Sequence, residues 1–202
     1  MNIKTIVFDL GAVLIDWHPE HLYKNVIEDE KERKWFLENI CTSDWNEEQD
    51  AGRPLAVATE ELVQKFPSHE NSIRAYYGRW IEMLNGPIHG TVDIFKELKA
   101  KGKYKFYALT NWSAETFPIA LEKFEFLQWF DGVLVSGEEK MRKPTHQFYQ
   151  KLFDKFSFDP KYAVFIDDNK RNLVPAKELG MYAIHFTNPE DLRAELVKIN
   201  VL

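Results

Sequence analysis

Lys4 to Leu14 reads KTIVFDLGAVL, and the order of residue types in it decides the fold. The stretch from Ile3 to Phe8 is short, β-branched and apolar, and it stops abruptly at Asp9. Such a run reads as a parallel strand buried on both faces that delivers an acid at its C-terminal end. Two later runs end in the same way. YKFYALT closes on Thr110 and is followed by Asn111, and YAVFIDD closes on Asp167 and Asp168. Ligands on open α/β sheets bind beyond the carboxyl ends of the strands, so these separated polar residues are expected to converge.

On either side of these runs, strands alternate with helical patterns. VDIFKELKAK precedes Gly102, a helix is expected from about Ala114 to Leu127, and GVLVS is a short strand. THQFYQKLF is a helix, a further helix runs from Leu173 to Leu179 with Gly180 as its stop, and the strand MYAIHF leads to a last helix, DLRAELVKI. This alternation predicts an α/β fold: a parallel, doubly wound, Rossmann-like sheet covered by helices on both faces. Residues from about Pro19 to Asn85 have another texture. They carry charged helical patterns (HLYKNVI, ERKWFLENI, EELVQKF, SIRAYYGRWIEML) and no convincing strand. Four or five inserted helices are expected there, with Gly86-Pro87 and Gly90 marking the exit. The division is therefore a core of residues 1–16 and 87–202 and a helical cap of residues 17–86.

A net charge of −6 argues against broad attraction to nucleic acid or an anionic membrane. Cys41 is the only cysteine, so no intrachain disulfide forms, which suits a reducing cytoplasm. The N-terminal run is too short to span a bilayer and lacks the layout of a signal peptide.

Carboxylates gathered without opposing Lys or Arg raise one another's pKa. A hard divalent cation removes that repulsion, and magnesium takes one or two carboxylates together with phosphate oxygens and water. Helix capping would account for any one of Asp9, Asp167 or Asp168. It does not explain why all three end apolar strands.

FDLGAVL at Phe8–Leu14, LTN at Leu109–Asn111, RKP at Arg142–Pro144 and IDDNKRN at Ile166–Asn172 resemble, in order, the four motifs of the haloacid dehalogenase superfamily. The helical stretch between the first two motifs matches the position of that superfamily's small helical cap. The resemblance implies a magnesium-dependent phosphohydrolase. Asp9 would be the covalent nucleophile, and Thr110 and Asn111 would orient phosphate oxygens. Lys143 would neutralise Asp9 and phosphate. Asp9, the Gly11 carbonyl and Asp168 would hold Mg2+, with Asp167 and Asn172 supporting them. The implied partner is a small phosphorylated metabolite such as a sugar phosphate, and the chain would be a monomer or homodimer.

One departure stands out. Most phosphatases of the superfamily carry an acid two residues after the nucleophile, and here that position is Gly11. Asp16 and His18 are candidates to replace it, although capping and solvation explain them as well. Two other readings stay open: a 2-haloacid dehalogenase, which the Asp167–Asp168 pair disfavours, and a weakly active phosphate-binding protein. Within the cap, Trp45, Asn46, Asp50, Gly52 and Arg53 form a polar-aromatic cluster, and Trp112 lines the cleft or packs. Cys41 is expected to be buried packing.

Overall fold

The computed structural model describes residues 2–202. In chain order the strands are β1 (Thr5–Phe8), β2 (Ile15–Trp17), β3 (Leu84–Pro87), β4 (Lys105–Thr110), β5 (Gly132–Val135), β6 (Ala163–Asp167) and β7 (Tyr182–His185). Between β2 and β3 lie α1 (Pro19–Tyr23), α2 (Glu30–Asn39), α3 (Ser43–Asp50), α4 (Leu55–Lys65) and α5 (Glu70–Gly78). The rest are α6 (His89–Ala100), α7 (Phe117–Lys123), α8 (Ser136–Glu139), α9 (His146–Phe156), α10 (Lys170–Glu178) and α11 (Pro189–Lys198).

Five strands form one parallel sheet in the order β5–β4–β1–β6–β7. Alternation along the strands builds two cores. Ile6, Phe8, Phe106, Ala108, Val164 and Ile166 belong to one, together with Ile94, Phe95 and Leu98 of α6 and Leu192 and Leu196 of α11. Val7, Tyr107, Leu109 and Phe165 belong to the other, against Phe148, Tyr149 and Leu152 of α9 and Leu173 of α10. Burial on both faces is why these strands read as unbroken apolar runs. The first core also continues into Leu22, Tyr23, Phe36, Ile73, Tyr76 and Trp80 of the inserted segment. Chain connections leave β1 toward β4 and later return to its other side at β6. The reversal places a crevice beyond the ends of these three strands.

Three features differ from the sequence reading. The ends of the insert pair as an antiparallel ribbon, Asp16 opposite Gly86 and Trp17 opposite Leu84, where no strand was expected. LNGP carries turn-type residues, and its partner lies some seventy positions away, so no local pattern announces it. Gly86 has φ +132°, a backbone region open mainly to glycine. The helix expected from Ala114 starts only at Phe117, with Pro118 in its first turn, and gives way to a 3₁₀ turn over Glu125–Trp129. The four-residue α8 was missed because it is too short to show a period. No helix among the described residues is long and apolar enough to cross a membrane.

Candidate functional site

Asp9 emerges from the central strand, and its main-chain N–H donates to the Ile166 carbonyl at 2.8 Å, tying the ends of β1 and β6 together. The Leu10 N–H donates to Asp9 Oδ1 at 2.7 Å. Lys143, from the loop between α8 and α9, is wholly buried. Its Nζ stands 2.9 Å from Asp9 Oδ1 and 2.7 Å from Asp167 Oδ2. Asp167 at the end of β6 is also fully buried. It accepts from the Asn169 N–H at 2.8 Å and from Asn172 Nδ2 at 3.0 and 3.1 Å. Those bonds and Lys143 occupy both of its oxygens. Asp168 makes no ion pair among the described residues.

Asn111 sits differently from the role expected of its amide. Its Nδ2 donates to the Lys143 carbonyl at 3.1 Å, and its Oδ1 accepts from the Lys143 N–H at 2.8 Å. The side chain therefore clamps the Lys143 backbone. Thr110, at the end of β4, keeps its Oγ1 buried with no hydrogen-bond partner among the described residues. An orphaned hydroxyl in a native site calls for a ligand or water.

The charges explain the next step. Burial pushes the Asp9 carboxyl up to about 7; Lys143 pulls it down, while Asp167 and Asp168 add to the rise. Burial, then Asp167, raises Asp168 as well. Burial also pulls Lys143 down, but Asp167 and Asp9 outweigh it and hold the ammonium above its ordinary value. Three carboxylates thus face one ammonium. One oxygen from each of Asp9, Asp167 and Asp168 lies within 4.8 Å of the others. With Asp167 already saturated, Asp9 and Asp168 are the free donors, and an oxygen pair of this kind suits a hard divalent cation.

Helix α3 roofs the site. Glu47 Oε2 lies 2.7 Å from Arg142 Nη1, and the same carboxylate pairs with Arg171. The Asp50 carbonyl accepts from the Ser136 hydroxyl. Between roof and sheet runs a cleft of about 530 Å³ bordered by Asp9, Lys143, Asp168, Trp17, His18 and Tyr76.

The remaining candidates separate. Asp16 serves the ribbon: it accepts from Asn85 Nδ2 at 2.8 Å and pairs with His21 at 3.0 Å. Burial raises its carboxyl, but Asn85 and His21 outweigh that and hold it below the ordinary value. His18 caps α1, its Nδ1 accepting from the Glu20 N–H at 3.2 Å, on the rim of the cleft. Arg53 pairs with Glu61, and Trp45 packs on Tyr76 and Tyr77. A Cβ at Gly52 would approach the Gly137 carbonyl to 3.0 Å, so this glycine permits the contact between roof and α8. Trp112 both lines the site and stacks edge-on against Trp80 and Phe117. Burial drives the Cys41 thiol up to about 12, which makes it a poor nucleophile. Sequence reasoning missed Glu47 and Ser136. Their partners lie far along the chain, so no spacing could reveal them.

The sequence matches the family described as haloacid dehalogenase-like hydrolase over residues 3–180. It is 26% identical over 187 residues to a protein named sesquiterpene phosphatase from Aspergillus oryzae, covering 93% of this chain and 91% of that one. It is 20% identical to a phosphorylated carbohydrates phosphatase of Thermotoga maritima, covering 91% and 84% of the two chains. The magnesium complex of a HAD family enzyme from Bacteroides thetaiotaomicron shares the fold with a TM-score of 0.74 at 23% identity, over 97% of this chain and 99% of that one. A HAD-like family hydrolase from Porphyromonas gingivalis gives a TM-score of 0.76 at 19% identity, over 99% and 98%.

Proposed function

Because the chain belongs to the haloacid dehalogenase-like hydrolase family, we propose that it hydrolyses small phosphomonoesters through an aspartyl-phosphate on Asp9. The observation that carries this reading is Lys143, buried between Asp9 and Asp167, with Asp168 left without an ion pair beside them.

In this reading Asp9, the Gly11 carbonyl and Asp168 hold magnesium, which when bound supplies positive charge toward the phosphate and the carboxylates. An Asp9 oxygen attacks phosphorus, splitting hydrolysis into two easier displacements. Lys143 opposes the rise that burial imposes on Asp9, favouring its ionised form, and balances charge that spreads over the phosphoryl oxygens. The orphaned Thr110 hydroxyl and the Asn111 main-chain N–H orient those oxygens. Asn172 and the Asn169 N–H fix Asp167, and Asp167 in turn fixes Lys143. Residues 17–86 act as the cap over the cleft, and the ribbon of β2 and β3 is their stem. The two relatives' names, one terpenoid and one carbohydrate, support phosphomonoesters as the class rather than one organic group.

The test is release of phosphate from p-nitrophenyl phosphate and from a panel of phosphorylated metabolites, with magnesium and with a chelator. Metal-dependent release, blocked by beryllium fluoride, is the expected result. Hydrolysis of 2-haloacids without phosphate release would overturn the proposal in favour of a dehalogenase.

A further inference from the structure

Gly11 leaves the site without an acid two residues beyond Asp9, and there is open space at that point: a Cβ there would meet nothing within 4 Å. A hollow of about 60 Å³ opens beside it, bordered by Gly11, Trp17, Trp80, Asn111, Trp112 and Asp50. Asp50 is the one carboxyl on its wall. Gly11, Asn111 and Asp50 also border the main cleft together with Asp9 and Lys143, so the two spaces adjoin.

Asp50 ends α3 and is held from several sides. Asn46 Nδ2 donates to its Oδ2 at 3.0 Å, and the Tyr77 hydroxyl fixes that amide by donating to Asn46 Oδ1 at 2.9 Å. The Ser113 N–H donates to the carboxylate from the loop after β4, and the Ser136 hydroxyl donates to the Asp50 carbonyl. Several titratable and charged groups surround it. Tyr76 and Tyr77 approach from α5, and Arg142 and Lys143 from the loop before α9. Glu47 on its own helix is tied to Arg142 and Arg171, and Glu115 accepts the Leu55 N–H. Burial pushes the Asp50 carboxyl up to about 7; Arg142, the Ser113 N–H and Lys143 offset only part of that rise. A group poised there exchanges its proton at neutral pH. Asp16, by contrast, is held ionised at the ribbon by Asn85 and His21.

We infer that Asp50, carried in by the roof helix, is the general acid and base of this site in place of the acid missing at Gly11. The inference rests on the phosphatase reading. In the first displacement an Asp9 oxygen bonds to phosphorus, the ester P–O bond breaks, and the departing oxygen takes the Asp50 proton to leave as the alcohol. In the second, water bonds to phosphorus and gives its proton to the Asp50 carboxylate. The P–O bond to Asp9 breaks, restoring the Asp9 carboxylate and releasing phosphate.

The test is Asp50→Asn, which keeps the shape and the ability to accept from Ser113 but has no proton to give. Rapid-quench measurements follow release of the alcohol in the first turnover. Release of an alkyl alcohol should fall roughly 10²- to 10⁴-fold. Release of p-nitrophenolate, which departs without a proton, should change only a few-fold. The fall in alkyl release above about pH 7 in the parent should vanish in the variant, and adding Gly11→Asp should restore alkyl release. Asn46→Ala, which keeps the carboxyl but removes a donor to its ionised form, should move that fall to higher pH. Equal losses on both esters, or an unmoved pH profile in Asn46→Ala, would overturn the role of Asp50 alone. A parent protein that releases neither alcohol would overturn the phosphatase reading, and this inference with it.

Discussion

Lys143 and Asp167 form an ion pair of 2.7 Å in which neither side chain has any exposure to solvent. A buried pair is costly to assemble and costlier to break, because the surviving charge has no partner. Lys143→Met should therefore destabilise the fold by about 3–5 kcal/mol as well as remove activity. Urea unfolding measures it. A loss under about 1 kcal/mol, the usual ceiling for an exposed pair, would show that solvent reaches this charge.

Asp9 predicts the opposite combination. Burial makes its ionised form costly, and Lys143 keeps Asp167 as a partner when Asp9 is changed. Asp9→Asn should cut turnover on the order of 10⁶-fold, the scale seen when a covalent nucleophile is removed. Its melting temperature in chelator should equal or exceed that of the parent. Retained turnover in purified protein would remove Asp9 from the role of nucleophile.

The adjacent acids should separate under metal titration. Asp168 is free to meet a cation, so Asp168→Ala should raise the magnesium needed for half-maximal activity with little change in melting temperature. Asp167 is spoken for by Lys143, Asn169 and Asn172. Asp167→Ala should mainly destabilise the fold, with the roughly 10- to 100-fold functional loss typical of a supporting residue. A larger magnesium shift in Asp167→Ala would reverse the two assignments.

How far the sequence carried this site depends on where each partner lies. Asp9, Thr110 and Asp167 were legible because each ends an apolar strand, and strand ends of a parallel sheet meet at one edge. Lys143 was legible only through resemblance, since a lysine in a loop is normally solvated. Its burial depends on two acids from other strands. The helices of the insert announced themselves by period, but the β2–β3 ribbon and the contacts of Glu47 and Asp50 did not. Those depend on how the insert sits on the sheet, and no run of neighbouring residues encodes that.

Asp50 also makes a stability prediction independent of catalysis. Its carboxyl rises from 3.8 to about 7 on folding. Between those values the folded protein holds a proton that the unfolded chain has released. Its contribution to stability therefore falls as pH rises through the window, and the loss is complete above about 7. Asp50→Asn lacks this dependence. Relative to the parent, the variant should gain stability on going from about pH 5 to about pH 8. A difference that stays flat across that range would mean the carboxyl is not raised.

Glu47 is expected to set how firmly the insert closes, because its carboxylate pairs with both Arg142 and Arg171. It is the one acid that reaches from α3 to these two core arginines. The insert's chain ends leave through the paired β2 and β3. A body attached by a narrow stem and clasped by ion pairs is suited to hinge opening, which admits substrate and releases product. Cys41 reports on that motion, because it borders the cleft, is buried and is the only cysteine in the chain. Glu47→Gln removes a partly exposed clasp, worth about 1 kcal/mol or roughly a five-fold larger open population. Thiol labelling of Cys41 should accelerate by a similar factor at fixed pH. In the parent it should quicken with added salt, which screens the exposed side of the clasp, and slow when magnesium and beryllium fluoride fill the cleft. Equal labelling rates in parent and variant, with both still folded, would show that Glu47 does not hold the insert closed.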